Sequence, residues 1–264
     1  MDKHLISLGT WRMVGASVRG TSHEKSGQPC QDAHAWLVRP DGIGIIAVAD
    51  GAGSAEFADI GATIAVKVAM ESVAVGLDSG NDTAPLSIED NRYKFILTDA
   101  VQAAKNAVEA EAISRKISPR ALASTLIVVI ACRGLVAAVQ IGDGATVASA
   151  GSGNVFAVTT PKHGEYLNET TFLVSPNALS DMQLVIQRGD STHVAVFSDG
   201  LQMLALKMPG NTPHSPFFSP LFNYLDSQTD PVQAQEALMS FLQSPRLRDR
   251  ADDDLTLVLA AIVP

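Results

Sequence analysis

Cysteine, aromatic residues and long apolar runs are all scarce in this chain of 264 residues. Each scarcity removes a class of protein. The only two cysteines, Cys30 and Cys132, stand far apart, so neither a disulfide framework nor a zinc-ligand spacing is available. Aromatics make up 5% of the chain and no Lys/Arg cluster or basic stripe interleaves with them. With a net charge of −9, a polyanionic nucleic acid is not an expected partner. No run approaches the roughly 20 apolar residues of a membrane span, and the opening MDKHLISLGTW lacks the apolar core of a signal peptide. The expectation is a cytoplasmic monomer with no membrane partner. Asn81 and Asn168 begin Asn-x-Thr triplets, which without a secretory signal read as chance matches.

What the chain does have is apolar content, 46% of residues, enough to bury a large core in a single domain over residues 1–264. Strand patterns cover Met13–Val18, Ala33–Val38 and Ile43–Ala49. Two helical patterns follow, Ala55–Val75 and Arg92–Lys116, around a polar Gly76–Asp90 loop. In the first, Ile60, Ile64, Val68 and Val75 recur at helical spacing; in the second, Phe95, Ile96, Ala100, Ala103, Ala107 and Ala110 mark a small-sided apolar face. Strand patterns then crowd together at Thr125–Ala131, Val136–Ile141, Thr146–Ala150, Val155–Thr159, Thr171–Val174, Gln183–Gln187 and His193–Phe197. A short helix (Leu201–Leu206), a Pro-rich connector (Pro209–Pro220) and two helices lead to a final strand, Leu255–Val263. Strands in blocks, interrupted by paired helices, argue against a doubly wound parallel sheet. They predict an α+β fold: a largely antiparallel sandwich of two sheets flanked by helices.

Three apolar runs stop at an Asp-Gly pair, IIAVADG at Asp50, AAVQIGDG at Asp143 and HVAVFSDG at Asp199, and another starts after Asp252-Asp253-Asp254. A buried strand ending in a carboxylate delivers that carboxylate to a sheet edge, and several such ends together need cations to be tolerable. Asp-Gly is also a strong hairpin signal. For Asp143, flanked by LVAAVQIG and ATVASA, a plain hairpin turn and a ligand both remain open; after Asp50 and Asp199 the pattern is helical, which favours a ligand.

The ordered series Gln31-Asp32-Ala33-His34, Val48-Ala49-Asp50-Gly51, Ser124-Thr125, Ile141-Gly142-Asp143-Gly144, Phe197-Ser198-Asp199-Gly200 and Asp253-Asp254-Leu255-Thr256 resembles the motif set of the metal-dependent protein phosphatases of the PP2C family, in a bacterial spelling. Each motif is weak alone, and the ordered set is specific. The resemblance implies an α-β-β-α sandwich of two antiparallel sheets and a Mn2+/Mg2+-dependent serine/threonine protein phosphatase. It implies that Asp50 bridges two cations, that the Gly51 carbonyl binds one, and that Asp199 and Asp253 bind the other. Asp32 would hold metal-bound water, and Asp143 would contribute to a third cation site. A bridging hydroxide would attack phosphorus in line. A phosphorylated protein would be the substrate, with a serine/threonine kinase as the opposing partner.

The letters exclude other routes to phosphate hydrolysis. A cysteine nucleophile needs an Arg to cradle phosphate, yet Trp36 and Ala138 stand six residues after the two cysteines. No P-loop Gly-Lys-Ser/Thr string and no Gly-x-Ser-x-Gly elbow occurs. Against the family pattern, Gly27 stands where many members carry a phosphate-gripping Arg, Gln31 replaces a Glu, and Ala52 replaces a His of the eukaryotic enzymes. Arg19, His23 and Lys25 in the polar loop are the candidate substitutes for the phosphate grip, Arg being favoured for bidentate contact. His34 is a candidate proton donor, against the plainer reading of a structural histidine on a strand. The Lys207–Pro220 connector, with Phe217 and Phe218, reads as a surface loop or a substrate-facing flap. Two other functions fit the same residues: a metal-dependent phosphomonoesterase for small molecules, or a catalytically weak regulatory module of the same fold.

Overall fold

The computed structural model describes residues 10–79, 86–150, 153–161 and 170–263; Asn81 and Asn168 lie outside them. Along the chain run β1 (Thr10–Val18), α1 (Thr21–Ser26), β2 (Ala33–Val38), β3 (Gly44–Ala49), α2 (Ala58–Asp78) and α3 (Leu86–Arg115). Next come β4 (Leu126–Cys132), β5 (Leu135–Ile141), β6 (Ala145–Ala150), β7 (Val155–Thr159), α4 (Ala178–Asp181), β8 (Gln183–Arg188) and β9 (Ser191–Phe197). The remainder is α5 (Gln202–Ala205), the short pair β10 (Leu206–Lys207) and β11 (Thr212–Pro213), α6 (Ser215–Ser227), α7 (Pro231–Leu242), α8 (Pro245–Arg248) and β12 (Leu255–Val263).

Two five-stranded sheets, in the orders β1-β12-β9-β6-β7 and β2-β3-β4-β5-β8, stack face to face, and every pairing in them is antiparallel. The period of two along each strand builds three apolar layers. In β3, Ile46 and Val48 enter the layer between the sheets, whereas Ile45, Ala47 and Ala49 enter the layer under α2 and α3. On the other side, Val14, Ala16, Phe197 and Leu257 pack with Phe218, Phe222 and Leu238 of α6 and α7. Both faces of the central strands are therefore buried, which is why they read as continuous apolar runs rather than alternating ones.

The long helices bury different faces from those the periodicity suggested. In α2 the buried stripe is Ala58, Gly61, Ala62, Ala65, Ala69 and Val73, while Val75 is 64% exposed. In α3 the expected Ile96 and Ala100 are buried, but the stripe continues through Leu97, Val101, Ala104, Val108 and Ala112, while Phe95 is 72% exposed. Small residues let two helices and a sheet approach closely, so the largest side chains lie beside the contact rather than in it. By length and composition α2 could cross a membrane, contrary to expectation; its apolarity is explained by the stripe packed on the sheet and α3.

Three further expectations are corrected. Residues 171–174 form no strand but an irregular stretch that ends in a turn, with Leu173 buried and its amide donating to the Ser124 carbonyl at 2.8 Å. Helix α2 starts at Ala58, not Ala55, with Phe57 at its N-cap position. The connector becomes α6 from Ser215 onward, its Pro216 in the first turn where no N–H is needed. Phe218 of that helix sits in the core 5.8 Å, ring to ring, from Phe197, which fits an anchor and not a flap.

Gly61 marks the close approach of α2 to the turn that leads into β4: a Cβ there would lie 2.0 Å from the Leu122 carbonyl oxygen. Alanine normally favours a helix over glycine by about 1 kcal/mol, but here the obstacle is backbone. Gly61→Ala is expected to cost about 2 kcal/mol, lowering the melting temperature by about 5 °C. A melt showing equal or higher stability would refute this packing.

Candidate metal centre

Strand register brings the predicted carboxylates to one edge of the sandwich. In the second sheet Ala33 of β2 faces Ala49 of β3, so one step further Asp32 comes opposite Asp50. In the first sheet Ala145 of β6 faces Phe197 of β9, so two steps further Asp143 comes opposite Asp199. Strand β12 pairs with the other side of β9, Leu257 facing Phe197, which sets Asp253 and Asp254 beside Gly200. The turn at Gly142-Asp143-Gly144 is therefore no hairpin. It carries the chain from β5 in one sheet to β6 in the other, with Gly142 at φ 104°, a conformation that favours glycine.

Carboxylate oxygens of Asp50, Asp143 and Asp199 lie within 4.8 Å of one another, all three residues half-buried. Asp253 forms a second such group with His23 and Asp254; its charge also reaches Asp50 and Asp199, which places it at the same edge. Gly51, next to Asp50, makes a lone bridge to Ser124; the bonds on either side use the Asp50 carbonyl, accepting from Thr125 at 2.8 Å, and the Ala52 amide.

A set of polar residues holds these groups in place. The Thr125 hydroxyl accepts from the Asp50 amide at 2.9 Å. Ser198 donates to Asp32 Oδ2 at 2.7 Å and accepts from the Thr256 amide at 3.1 Å. Thr170 donates to Asp143 Oδ2 at 2.7 Å, and Gln202 donates to the Asp143 carbonyl. Asp254, only 2% exposed, accepts from the Gly20 amide at 2.6 Å and the Gln31 amide at 2.5 Å. It is engaged as a structural pin rather than left free as a ligand. The adjacent Asp253 is exposed and accepts at Oδ1 from the Asp254 amide at 2.8 Å. Asp254 and Ser198 are parts of the site that sequence reasoning did not assign, although both sit inside quoted motifs.

Electrostatics marks the cluster as strained. Burial, aided by the charges of Asp32 and Asp199, pushes Asp50 well above the usual carboxylate range. Burial lifts Asp199 to about 6, opposed by its bond to Asp50 and aided by Asp143 and Asp253. Burial lifts Asp32 to about 7 against the pull of the Thr256 and Ser198 hydroxyls, and burial also raises Asp253. Yet Asp32 Oδ1 and Asp199 Oδ1 are buried without any hydrogen-bond partner among the described residues. Buried, unsatisfied carboxylate oxygens facing further carboxylates suit a hard divalent cation.

The phosphate-grip candidates occupy different situations. Arg19 is exposed and donates to the Gln28 carbonyl at 3.3 Å, and Lys25 is exposed on α1. His23 is buried, its Nδ1 3.0 Å from Asp254 Oδ1 but out of line for a hydrogen bond. His34 is held through Ser17, 2.7 Å from its Nδ1, and Ser17 in turn lies 2.6 Å from the Thr256 hydroxyl; burial lowers its pKa. The Cys30 thiol is driven above its ordinary value by burial and by Asp32 and Asp254, which disables it as a thiolate nucleophile.

Comparison with known proteins agrees with this geometry. The family model described as protein phosphatase 2C matches residues 19–243. Serine/threonine-protein phosphatase 3 of Escherichia coli (strain K12) is 37% identical over 257 residues, covering 95% of this chain and 98% of that protein. Among solved structures, a bacterial serine phosphatase superposes with TM-score 0.65 at 13% identity, over 96% of this chain and 98% of the other. The serine/threonine phosphatase Stp1 from Staphylococcus aureus superposes with TM-score 0.64 at 14% identity, each chain covered over 100%. Sandwich, carboxylate edge and sequence likeness converge, and the chain belongs to the protein phosphatase 2C family.

Proposed function

We propose that this divalent-metal-dependent serine/threonine protein phosphatase hydrolyses its phosphoprotein substrates at the carboxylate edge. Asp50, the Gly51 carbonyl, Asp199 and Asp253 would hold two Mn2+ or Mg2+ ions, and Asp143 would serve a third. The observation that carries this reading is the mutual approach of Asp50, Asp143 and Asp199 within 4.8 Å, joined to the unpartnered Oδ1 of Asp199. Bound there, such cations lower the pKa of water and neutralise phosphoryl oxygens, which makes hydrolysis possible without a covalent phosphoenzyme. The chain's own contribution is placement. Thr125 fixes the Asp50 backbone, and Ser198 orients Asp32 so that its Oδ1 can hold a proton or accept one from water. Exposed Arg19 and Lys25 are the cations of the α1 segment free to face a substrate phosphate, and a serine/threonine kinase would supply that substrate.

The Asp50→Asn and Asp199→Asn variants are expected to lose at least about 100-fold in hydrolysis of an aryl phosphate, the scale of losing a cation, while remaining folded. Activity near that of the unaltered protein in either variant, measured in excess Mn2+, would sink the two-cation arrangement.

Protons and cations compete for the same oxygens, which fixes a sign for stability. The folded values of Asp32 and Asp199 lie at about 7 and about 6 against an ordinary 3.8, so these groups bind protons more tightly when folded. Their stabilising contribution is complete below about pH 4 and is lost as pH rises through 6 to 7. In chelator, the melting temperature should fall between pH 5 and 7.5, and Mn2+ should restore it at pH 7.5. Asp50→Asn should flatten the slope in chelator and abolish much of the Mn2+ response. A chelated protein equally stable at both pH values would contradict this account.

A further inference from the structure

Segments that lead into and out of the carboxylate edge line a small pocket of opposite character, about 130 Å3, with Arg246, Arg250 and His214 around a floor that includes Phe217 and Phe241. The two rings of that floor are 6.1 Å apart. Both guanidiniums are exposed and neither has an ion-pair or hydrogen-bond partner among the described residues. Between them in sequence, Arg248 pairs with Glu24 of α1 and so is occupied in tying α8 to the site. His214 adds a ring nitrogen, Nδ1, that is buried without a partner among the described residues. Two like charges lining one pocket repel, and an anion seated between them removes the repulsion while meeting the planar donors of Arg.

The walls of this pocket run directly out of the metal centre. Leu204, which also lines it, stands five residues after Asp199, and Arg250 stands three residues before Asp253. At 3.8 Å per Cα step, the Arg250 backbone is within about 11 Å of that of Asp253. An extended peptide advances about 3.4 Å per residue, so a side chain up to about three positions from the phosphorylated residue stays within that limit. The segment is also fixed rather than loose, because Ser22 donates both its hydroxyl, at 2.7 Å, and its amide, at 2.9 Å, to the Asp252 carbonyl.

Resting on the phosphatase reading above, the geometry points to this pocket as a second anion subsite. It would take an acidic or second phosphorylated side chain about three residues from the scissile phosphoserine or phosphothreonine. It would thereby select substrates with anionic flanks. A long polyanion fits less well, since Asp249 and Asp252 stand exposed in the same segment and the whole chain carries −9.

The test uses the full chain in saturating Mn2+ with matched phosphothreonine peptides bearing Glu, phosphoserine or Ala three residues to either side. In low salt an anionic flank should raise kcat/KM about fivefold over Ala through a lower KM, and the gain should fade in 0.5 M salt as screening shortens. In the double variant Arg246→Ala/Arg250→Ala the ratio of anionic to Ala peptide should drop to about one; because it is a ratio, any general loss of activity cancels. A larger gain from phosphoserine assigns the pocket to a second phosphate, and equal gains assign it to any acidic residue; either result upholds the subsite. A ratio near one in the unaltered protein, or a preference surviving in the double variant, overturns the subsite alone. A short single-stranded DNA that displaces the acidic peptide at lower concentration than the peptide itself also overturns it, in favour of a nucleic-acid contact. Failure to hydrolyse any phosphopeptide would overturn the phosphatase reading and the subsite with it.

Discussion

Repulsion among carboxylates forced together at one edge of the sandwich is the constraint on which the rest of the site depends. Asp50 and Asp32 leave one sheet, Asp143 and Asp199 the other, and the stacking of the two sheets leaves them nowhere else to point. Isolated buried carboxylates would protonate instead of remaining charged, and the upward displacement of Asp50, Asp199 and Asp32 is that tendency. The same displacement makes the edge a receptor for hard cations. A fold that relieved the repulsion internally, with an Arg or Lys among the acids, would have no vacancy for them.

Holding the acids apart from solvent yet near each other falls to neutral donors and to one further carboxylate. Asp254 absorbs two backbone amides, from Gly20 and Gln31, and so ties the β1–β2 connection to the start of β12. Glycine at 20 and 200 permits this: a Cβ on Gly20 would meet the Asp253 backbone at 2.2 Å, and one on Gly200 would meet the Asp254 carbonyl at 2.2 Å. Adjacent acids in one turn thus divide the work, Asp254 buried on the two amides and Asp253 exposed beside it.

Much of this was legible in the sequence, and the limits have physical causes. Strand ends at Asp50 and Asp199 could be read because an apolar run stopping at a carboxylate is a local pattern. The sheet assignment of β5 and β6 could not, since a turn between two sheets and a hairpin turn use the same Gly-Asp-Gly letters; only register shows that Asp143 comes opposite Asp199. The helix faces were partly misjudged because periodicity weights large side chains, whereas the buried stripes of α2 and α3 include Gly61, Ala62, Ala65 and Ala104. Arg246 and Arg250 looked unremarkable in a chain of net negative charge. Folding set them against Phe217 of α6, which lies far from them in sequence, as well as against the nearby Phe241.

The missing family arginine has a local explanation of the same kind. Gly27 closes α1 at φ 73°, and its amide donates to the Glu24 carbonyl at 3.4 Å, a left-handed cap that disfavours any side chain. An Arg there would strain the turn that ends the helix. Helix α1 itself exists to bring Ser22 onto the Asp252 carbonyl and His23 against Asp254, so this segment has been given to bracing the carboxylate edge. On the reading proposed above, positive charge for the substrate comes from the flanks of that brace: Arg19 and Lys25 on one side, and on the other the Arg246 and Arg250 pair, between which Arg248 pairs with Glu24. Departure from the family pattern at Gly27 and the basic pocket beyond α8 are in this sense one structural arrangement, in which cationic contacts move outward while the centre is left entirely to acids.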